Sequence, residues 1–419
     1  MERYSKYCQS GTNWLGELPS HWQLRRISAL YDARNEKVSD QDYPPLSVTM
    51  QGIMPQLETA AKTQDGDNRK LVKAGDFVIN SRSDRRGACG ISAYDGSVTL
   101  ISNVLAPKDR NSMNTRYYSY LFKSEGFADE FYRQGTGIVD DLWSTNWSRM
   151  KSILVSRPPL TEQERIADYL DAKTSEIDVL VEDCEREIEL LQEYRKAVIS
   201  ETVTKGLNPD VPTKDSGIEW IGKIPVSWAI VPFKAIGTVA ANLQHPSDYP
   251  DVPQVSPDRI EKDSGRLLPC VSVAEAGVES DNHLFHAGDI LYSKVRPALN
   301  KVTVAPFDGM CSADMYPIVT AQNRNWLVCY MLSNAFMEQV IVSTDRVKMP
   351  KINKEELGTF KVVLSDADAQ IKIAAYLDAK TAEIDSLIDA KQSMVDKLRE
   401  YRRSLISEAI TGKFKVPGV

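Results

Sequence analysis

Clusters of arginine and lysine are the side chains with the clearest chemical potential in this sequence. Three clusters occur: Arg82, Arg85 and Arg86; Lys294 and Arg296; and Arg346, Lys348 and Lys351. Cationic groups beside Ser, Asn and Gln suit hydrogen bonds to phosphate oxygens and base edges. Gln134 and Thr136, in RQGTG, are further candidates for base contacts. Any one cluster could be a solvated loop, but clusters at matching positions of two sequence copies favour nucleic-acid binding.

Motifs for catalysis are missing. The sequence has no GxxxxGK followed by Ser or Thr, no GxGxxG, no HExxH and no GxSxG. Its six cysteines and four histidines lack zinc-site spacing. Asp171-Ala-Lys173 matches half of a nuclease metal motif, but it lies in a predicted helix and recurs as Asp378-Ala-Lys380, so we interpret it as helix surface. We expect a binding scaffold with no catalytic residue, no metal and no cofactor of its own.

Length and composition predict a multidomain globular protein. At roughly 100–200 residues per domain, 419 residues predict two to four domains. No run reaches the ~18 apolar residues of a membrane span, and MERYSKYCQSG lacks the apolar core of a signal peptide. Scattered cysteines indicate free thiols in a reducing compartment. We therefore expect a cytoplasmic protein without a membrane partner.

The chain repeats itself. Positions 168–204 match positions 375–411 without a gap, with 18 identities in 37 positions. SGTNWLGELPSHW at 10–22 matches SGIEWIGKIPVSW at 216–228, and Ala-Gly-Asp at 74–76 matches 287–289. The repeats predict four segments: a globular domain at 1–158, a long helix at 159–212, a second globular domain at 213–364 and a C-terminal long helix at 365–419.

Each helical segment has one apolar stripe and no internal proline or glycine. The first stripe comprises Ile166, Leu170, Ile177, Leu180, Ile188, Leu191 and Tyr194, and the second Ile373, Leu377, Ile384, Leu387, Leu398 and Tyr401. Steps of mostly three, four or seven residues predict a coiled-coil seam between two antiparallel helices of about 65 Å. The alternative is that each helix packs on its own domain. Gly206 and Gly412 are expected to end the helices.

The globular segments mix short strand-like runs with helical runs, so we predict an α+β (α/β) fold with pseudo-two-fold duplication. Helical runs are expected at 116–132 and 325–342. Trp14, Trp22, Trp220 and Trp228 are interpreted as core residues in preference to base-stacking platforms. Segment 1–158 has net charge +3 and segment 159–212 has −8, so the overall charge of −7 says little about the first domain.

The chain closely resembles the specificity subunit of type I restriction-modification enzymes. The resemblance rests on Pro158-Pro-Leu-Thr-Glu-Gln-Glu-Arg165 before a long helix, on the opening Trp14–Trp22 segment, on the repeated Ala-Gly-Asp strand and on Lys294-Val-Arg-Pro297. These motifs follow the family order over essentially the whole chain. One departure is Leu364-Ser-Asp-Ala-Asp-Ala-Gln370, which replaces the Pro-Leu-Thr-Glu-Gln of the first copy, so we expect a differently shaped helix start there.

The resemblance implies a non-catalytic subunit of a site-specific deoxyribonuclease and adenine methyltransferase complex, a host-defence system based on DNA methylation. The two target recognition domains would each read one half of an asymmetric bipartite site in double-stranded DNA. The helices would set the gap between half-sites and dock two methyltransferase subunits, which restriction subunits then join. S-adenosylmethionine, ATP and magnesium would belong to those partners. The rival interpretation is a duplicated coiled-coil adaptor that binds proteins without DNA.

Overall fold

The computed structural model describes residues 2–57, 66–82, 86–137, 143–344 and 350–419. Two compact units divide the chain: unit 1 is Met1–Cys184 with Ser393–Val419, and unit 2 is Glu185–Gln392. Each unit therefore holds one globular region and a part of both long helices. The fold is α+β, because nearly all strand pairs in the described residues are antiparallel and the helices are separate from them in sequence.

The globular region of unit 1 is built from short strands and short helices. The strands are β1 (Tyr7–Gln9), β2 (Glu17–Pro19), β3 (Gln23–Arg26), β4 (Tyr31–Ala33), β5 (Lys37–Val38), β6 (Leu46–Thr49), β7 (Gly52–Pro55), β8 (Arg69–Val72), β9 (Phe77–Asn80), β10 (Cys89–Ile91), β11 (Gly96–Val98), β12 (Ser102–Pro107) and β13 (Leu154–Arg157). The helices that begin here are α1 (Ile27–Leu30), α2 (Thr115–Lys123), α3 (Glu125–Arg133), α4 (Trp147–Met150) and α5 (Leu160–Lys205).

Two sheets carry this globular region, a four-stranded sheet of order β10-β9-β12-β4 and a three-stranded sheet of order β11-β8-β5. Helices α2 and α3 cover the first sheet, where Phe77 stacks on Phe122 with ring centroids 4.1 Å apart. The predicted single helical run is wrong at Ser124. That residue has extended backbone angles, and its hydroxyl accepts a hydrogen bond from the Phe127 amide, which begins a new helix.

Unit 2 repeats this plan. Its strands are β14 (Thr213–Asp215), β15 (Lys223–Pro225), β16 (Ala229–Pro232), β17 (Gly237–Val239), β18 (Leu243–Gln244), β19 (Pro253–Val255), β20 (Val271–Ser272), β21 (Asn282–Phe285), β22 (Ile290–Ser293), β23 (Val302–Val304), β24 (Gly309–Cys311), β25 (Met315–Thr320) and β26 (Lys361–Leu364). Its helices are α6 (Val273–Ala276), α7 (Arg324–Leu332), α8 (Asn334–Thr344) and α9 (Lys354–Thr359), and α10 (Ala367–Ile410) begins here.

The sheets of unit 2 have the orders β17-β25-β22-β23 and β18-β21-β24-β19-β20. The second predicted helical run is also interrupted, in this case at Ser333, whose hydroxyl donates to the Tyr330 carbonyl oxygen. Trp22 and Trp228 are buried as predicted, with 5% and 6% of their surface exposed, but Trp220 is wrong as a core residue because 46% of it is exposed.

The long helices begin at equivalent positions in spite of the sequence departure. The Gln163 side chain accepts from the Asn114 amide (2.9 Å) and donates to the Pro158 carbonyl oxygen (2.8 Å). Gln370 makes the same two bonds, from the Asn323 amide and to the Ser365 carbonyl oxygen, both at 3.0 Å. The expectation of a differently shaped second helix start is therefore wrong, because this glutamine docks each helix to its domain.

The ends of the helices follow the sequence prediction. Helix α5 ends at Lys205 and α10 at Ile410, just before glycines with φ of +82° and +64° at 206 and 412. This left-handed conformation is the usual way to end a helix, and only glycine adopts it without a steric cost.

The two helices are antiparallel within each unit. In unit 1, the Arg402 guanidinium donates to the Asp178 carboxylate at 2.8 Å. In unit 2, Arg195 donates to Asp385 at 2.8 Å. Arg195 and Arg402 are equivalent in the repeat, as are Asp178 and Asp385, so the duplication has preserved one ion pair twice.

The sequence allowed two packing partners for each long helix, the other helix or its own domain, and the buried helix faces pack on both. In unit 1, Ile166, Leu170 and Ile177 share one core cluster with Leu405 of α10 and with the globular domain. In unit 2, Ile373 and Leu377 share a cluster with Ile199 of α5 and with the second domain. Each helix therefore packs on its own domain and on the other helix.

Part of the predicted seam is wrong. Leu180, Tyr194, Leu387 and Tyr401 are 45%, 50%, 48% and 48% exposed, while Ile188, Leu191 and Leu398 are half-buried and Ile384 is buried. The buried stripe passes from Cys184 to Arg195 and from Ile384 to Val395 in steps of eleven residues. A seven-residue step followed by an eleven-residue step makes about five turns of 3.6 residues and returns to the same face of a straight helix. Ile177, Cys184 and Arg195 follow this spacing, so a strict heptad assignment misplaced the four exposed residues.

Candidate nucleic-acid interface

The repeated Ala-Gly-Asp segment is a turn that aims one strand in each unit. Asp76 accepts from the Lys73 amide at 2.9 Å, and Asp289 accepts from the His286 amide at 2.8 Å. A second carboxylate, from the Asp-Gly motif, caps each turn: Asp95 accepts from the Ala74 amide at 2.8 Å, and Asp308 accepts from the Ala287 amide at 2.7 Å. The hydrogen bonds from the Ala74 amide and from the Lys73 ammonium group lower the pKa of Asp95. The acidic residues of the motif are therefore structural.

The residues that follow this strand pair in the same way in both units. In unit 1, the Thr145 amide donates to the Ser81 carbonyl oxygen (2.9 Å) and Arg82 bridges to Ser144. In unit 2, the Ile352 amide donates to the Lys294 carbonyl oxygen (3.0 Å) and Val295 bridges to Lys351. We call these two structures the paired edges: residues 80–82 with 143–145 in unit 1, and 293–295 with 350–352 in unit 2.

The paired edge of unit 1 collects several of the predicted residues. The Arg82 side chain is exposed, and its amide donates to the Asn80 side chain at 3.0 Å. Thr136 is also exposed and bridges to Ser144, the residue that Arg82 bridges. Gln134 lies two residues away but donates to Glu130 at 2.8 Å, which occupies its amide group. Arg82 and Thr136 are therefore the better placed candidates.

Arg86 borders the same edge, and Arg85 lies outside the described residues. The Arg86 guanidinium forms an ion pair with Asp129 and stands 5.0 Å from the Tyr132 ring centroid. Half of the Arg86 side chain remains exposed. A cation held by a carboxylate and an aromatic face is oriented but can still contact a phosphate.

An aromatic pair at this edge was not predicted from the sequence. Trp143 stacks on Tyr132 with centroids 5.6 Å apart, and its indole nitrogen donates to the Tyr132 carbonyl oxygen at 2.9 Å. Asn80 and Ser81 line the same small cleft with Arg82 and Arg86. The sequence signal that could have indicated this pair was Trp143 itself, a tryptophan directly before Ser144 and Thr145 in a segment between two predicted elements.

The paired edge of unit 2 brings together Lys294, Arg296 and Lys351. The Arg296 amide donates to the Pro350 carbonyl oxygen at 3.1 Å, and its side chain is exposed. The Lys294 ammonium group lies 5.0 Å from the Tyr316 ring centroid, and the Lys351 ammonium group lies 3.7 Å from Asp314. Arg346 and Lys348 lie outside the described residues.

A buried histidine stands behind this second edge. His283 is 4% exposed, and its Nδ1 has no hydrogen-bond partner among the described residues. Burial and the nearby charge of Lys294 lower the pKa of His283. This side chain is therefore a neutral packing residue at pH 7 and adds no charge to the edge.

The arrangement can bind anions and hydrogen-bond acceptors. Each paired edge presents exposed cationic side chains on a rigid backbone ladder, the geometry that holds phosphates and base edges in register. In the parts of the chain that the structure covers, no group of three or more His, Cys, Asp or Glu residues could hold a metal ion. Within the same residues, no helix is long and apolar enough to cross a bilayer.

The chain is similar in sequence to known proteins. Residues 19–190 match the model of the type I restriction modification DNA specificity domain. The type I restriction enzyme EcoDI specificity subunit of Escherichia coli is 31% identical over 250 residues, which are 56% of this chain and 56% of that protein. The alignment thus spans little more than half of that relative's length.

The fold is also shared with solved structures. A chain from a study of complex assembly and conformational transition of the type I R-M system superposes with a TM-score of 0.70 at 15% identity, covering 94% of this chain and 98% of that one. The HsdS subunit from Thermoanaerobacter tengcongensis gives 0.50 at 15% identity, with 95% and 98% covered. The match to the specificity-domain model, the EcoDI relative and these two folds agree with the duplicated order of domain and helix. The chain is therefore similar in sequence to type I restriction enzyme specificity subunits, and it shares the fold of these solved structures.

Proposed function

We propose that this chain is the DNA-recognition subunit of a type I restriction-modification complex. Each globular domain reads one half of an asymmetric bipartite site in double-stranded DNA. In the first domain, Arg82, Arg86 and Thr136 are the principal contacts, and Arg85 and Gln134 are further proposed contacts. In the second domain the contacts are Lys294, Arg296, Arg346, Lys348 and Lys351.

This proposal rests on the two paired edges, one in each unit. Both units build the same backbone ladder after the Ala-Gly-Asp strand, but the bridged residues are Arg82 and Ser144 in one and Val295 and Lys351 in the other. A common frame gives two domains the same approach to a duplex, while different side chains on that frame contact different bases. Two unlike half-sites follow from a duplicated fold with diverged edges.

The helices have the length needed for a spacer. Helices α5 and α10 contain 46 and 44 residues, about 65–70 Å at 1.5 Å per residue. In this proposal they set the gap between half-sites, with the half-site centres about one to two turns of ~34–36 Å apart. The sequence within the gap would not be read.

The helices also offer two equivalent docking surfaces. Leu180 and Tyr401 in unit 1, and Leu387 and Tyr194 in unit 2, are each about half exposed. Leu180 is equivalent to Leu387 in the repeat, and Tyr194 to Tyr401, so each unit presents one leucine and one tyrosine. Exposed apolar side chains at equivalent positions suit two copies of one partner. We assign these surfaces to two methyltransferase subunits, which restriction subunits join.

The chemistry belongs to the partners in this proposal. The chain itself is non-catalytic, and S-adenosylmethionine, ATP and magnesium are bound by the methyltransferase and restriction subunits. An adaptor that binds proteins without DNA is less favoured, because the match to a DNA specificity domain and the cationic paired edges have no role in it.

Methylome sequencing tests the function directly. The chain is co-expressed with its methyltransferase subunit, and the DNA of those cells is compared with DNA from cells that express the methyltransferase alone. We expect a new asymmetric bipartite motif that is methylated on both strands. A complex that assembles but produces no new motif would contradict the proposal and support the adaptor.

A further inference from the structure

A hairpin in unit 2 is fastened to the helix pair by Arg195 of α5. The hairpin spans residues 260–267, closed by a bridge between Ile260 and Leu267. The Arg195 guanidinium donates to the carbonyl oxygens of Asp263 (3.1 Å) and Ser264 (2.9 Å) at its tip. The same guanidinium donates to Asp385 of α10, and only 8% of its side chain is exposed. One arginine therefore joins two helices and the recognition domain.

The tip of the hairpin is held in a conformation that it would rarely adopt alone. Asp263 has φ of +60°, which non-glycine residues avoid unless their surroundings impose it. Lys196 forms an ion pair with the Asp263 carboxylate at 3.0 Å. On the domain side, the Thr303 hydroxyl donates to the Gly265 carbonyl oxygen at 2.8 Å. The tip is thus fixed to α5 on one side and to β23 on the other.

The equivalent arginine of unit 1 has no such role. In unit 1, the hairpin of β6 and β7 corresponds in topology to residues 260–267 of unit 2. Each hairpin follows a segment that pairs in parallel with the strand after the Asp-Gly turn: Pro45 bridges to Ser97 of β11 in unit 1, and β19 pairs with β24 in unit 2. The tip of the hairpin in unit 1 is held by Lys123, which donates to the Gln51 carbonyl oxygen at 2.8 Å. Among the described residues, the Arg402 guanidinium is hydrogen-bonded only to Asp178, and the side chain is 36% exposed.

We propose that Arg195 is a positioning residue that fixes the second recognition domain on the helix pair and thereby sets the accepted gap between half-sites. This inference rests on the proposed function. A domain held by guanidinium hydrogen bonds to backbone carbonyls has one orientation on its helices, because charged hydrogen bonds with little exposure are strong and directional. Loss of the fastening leaves the paired edge of unit 2 intact but lets the domain tilt, so the half-site sequence is kept and the gap becomes less defined.

The duplication supplies a matched control for the test. Arg195→Gln removes the helix ion pair and the hairpin fastening, whereas Arg402→Gln removes only the equivalent ion pair. Lys196→Gln removes one exposed contact of the tip and leaves the helices unchanged. Hydrogen exchange of the full-length chain is measured for peptides covering 260–267, and the methylome is determined for each variant co-expressed with its methyltransferase subunit.

We expect Arg195→Gln to accelerate exchange at the hairpin about tenfold, as the loss of charged hydrogen bonds implies. Methylation of sites with a gap one base pair longer or shorter should rise about tenfold relative to the original gap, on the same free-energy scale. Lys196→Gln should change both quantities less and in the same direction, and Arg402→Gln should change neither.

The outcomes separate this inference from the proposed function. If the unaltered chain yields no bipartite motif, the function fails, while the exchange data still decide whether Arg195 fastens the hairpin. If the unaltered chain yields a motif and the exchange accelerates, but neither Arg195→Gln nor Lys196→Gln changes the accepted gap, the positioning role is overturned. An equal relaxation of the gap by Arg402→Gln would also overturn it, because the helix ion pair would then be responsible.

Discussion

At the scale of single residues, the environment of each arginine decides what it can bind. Arg82 has an exposed side chain on a hydrogen-bonded backbone, and among the described residues its guanidinium has no hydrogen-bond partner, so it can meet a base edge. Arg86 is already paired with Asp129 and packed near Tyr132. A guanidinium shared with a carboxylate has fewer donors left for a bidentate base contact, and it suits a phosphate better. The two arginines therefore have different expected effects when they are removed.

We predict that Arg82→Ala relaxes specificity at one position of one half-site. A bidentate arginine contact to a base contributes ~1–3 kcal/mol of discrimination, so methylation of sites with a substitution at that position should rise roughly ten- to hundredfold relative to the original site. The second half-site should be unchanged. Methylome sequencing and competition binding to duplexes with single substitutions measure the effect.

Arg25→Ala is the matched control, because the Arg25 side chain is exposed on β3 and its guanidinium is hydrogen-bonded only to Gln23 among the described residues. A uniform loss of affinity for all sites in Arg82→Ala, with a reduced salt dependence, would assign Arg82 to a phosphate and contradict base reading.

The second residue-scale prediction concerns His283. Its pKa is lowered from 6.5 in the folded chain, so the unfolded chain binds more protons as the pH falls below about 7. Stability therefore rises with pH in this range, and this contribution is lost as the pH falls below 6.5. His283→Gln should flatten this dependence in urea unfolding of the full chain. His245→Gln, at an exposed histidine, should leave it unchanged, and an unaltered slope in His283→Gln would disprove the assignment.

At the scale of elements, the buried face of each long helix does not follow the strict heptad spacing that was predicted from the sequence. The buried positions of α5 include Leu170 and Cys184, while Leu180 between them is 45% exposed. Helix faces that pack on a domain and on another helix keep a stripe along a nearly straight axis, and a seven-residue step followed by an eleven-residue step, about five turns in all, returns to that stripe. The apolar residues left outside the stripe remain available to a partner.

We predict unequal effects for two leucines of the same helix. Leu170→Ala should lower the free energy of unfolding by about 2–5 kcal/mol, because Leu170 is fully buried in the core cluster of unit 1. Leu180→Ala should cost less than about 1 kcal/mol. Denaturant unfolding measures both values. Similar losses for the two variants would mean that Leu180 belongs to the seam after all.

At the scale of the whole molecule, the duplication predicts modular recognition. Replacement of residues 1–158 by the corresponding domain of a type I specificity subunit should change one half-site and leave the second half-site and the gap unchanged. The physical reason is that the paired edge of each unit is built from residues of that unit alone. Methylome sequencing of the hybrid measures the result, and a change in both half-sites would contradict modularity.

A four-residue insertion in both helices is the complementary control for this exchange. It adds about 6 Å to each helix and should alter the gap without altering either half-site. A changed half-site after a pure helix insertion would contradict the role of the helices as a spacer.

Several features were predictable because they depend on local sequence. The repeat, the positions of both long helices, their terminal glycines, the α+β class and the family resemblance all follow from spacing and from residue type. The interruptions at Ser124 and Ser333 were missed, because a serine within an apolar helical run does not show whether its hydroxyl will cap a new helix. The placement of Arg85, Arg346 and Lys348 remains a prediction, since these residues lie outside the described part of the chain.

By itself, the sequence determined that this protein is a duplicated pair of domain and helix with cationic segments after a repeated turn, because periodicity and repetition are properties of the chain. Only the tertiary structure decided which cationic residues share an edge, since Arg82 meets Ser144, and Val295 meets Lys351, across more than fifty residues of chain. It also decided that Leu180, Tyr194, Leu387 and Tyr401 face outward, and that Arg195 but not Arg402 fastens a hairpin. These outcomes depend on contacts between segments distant in sequence, which no local pattern specifies.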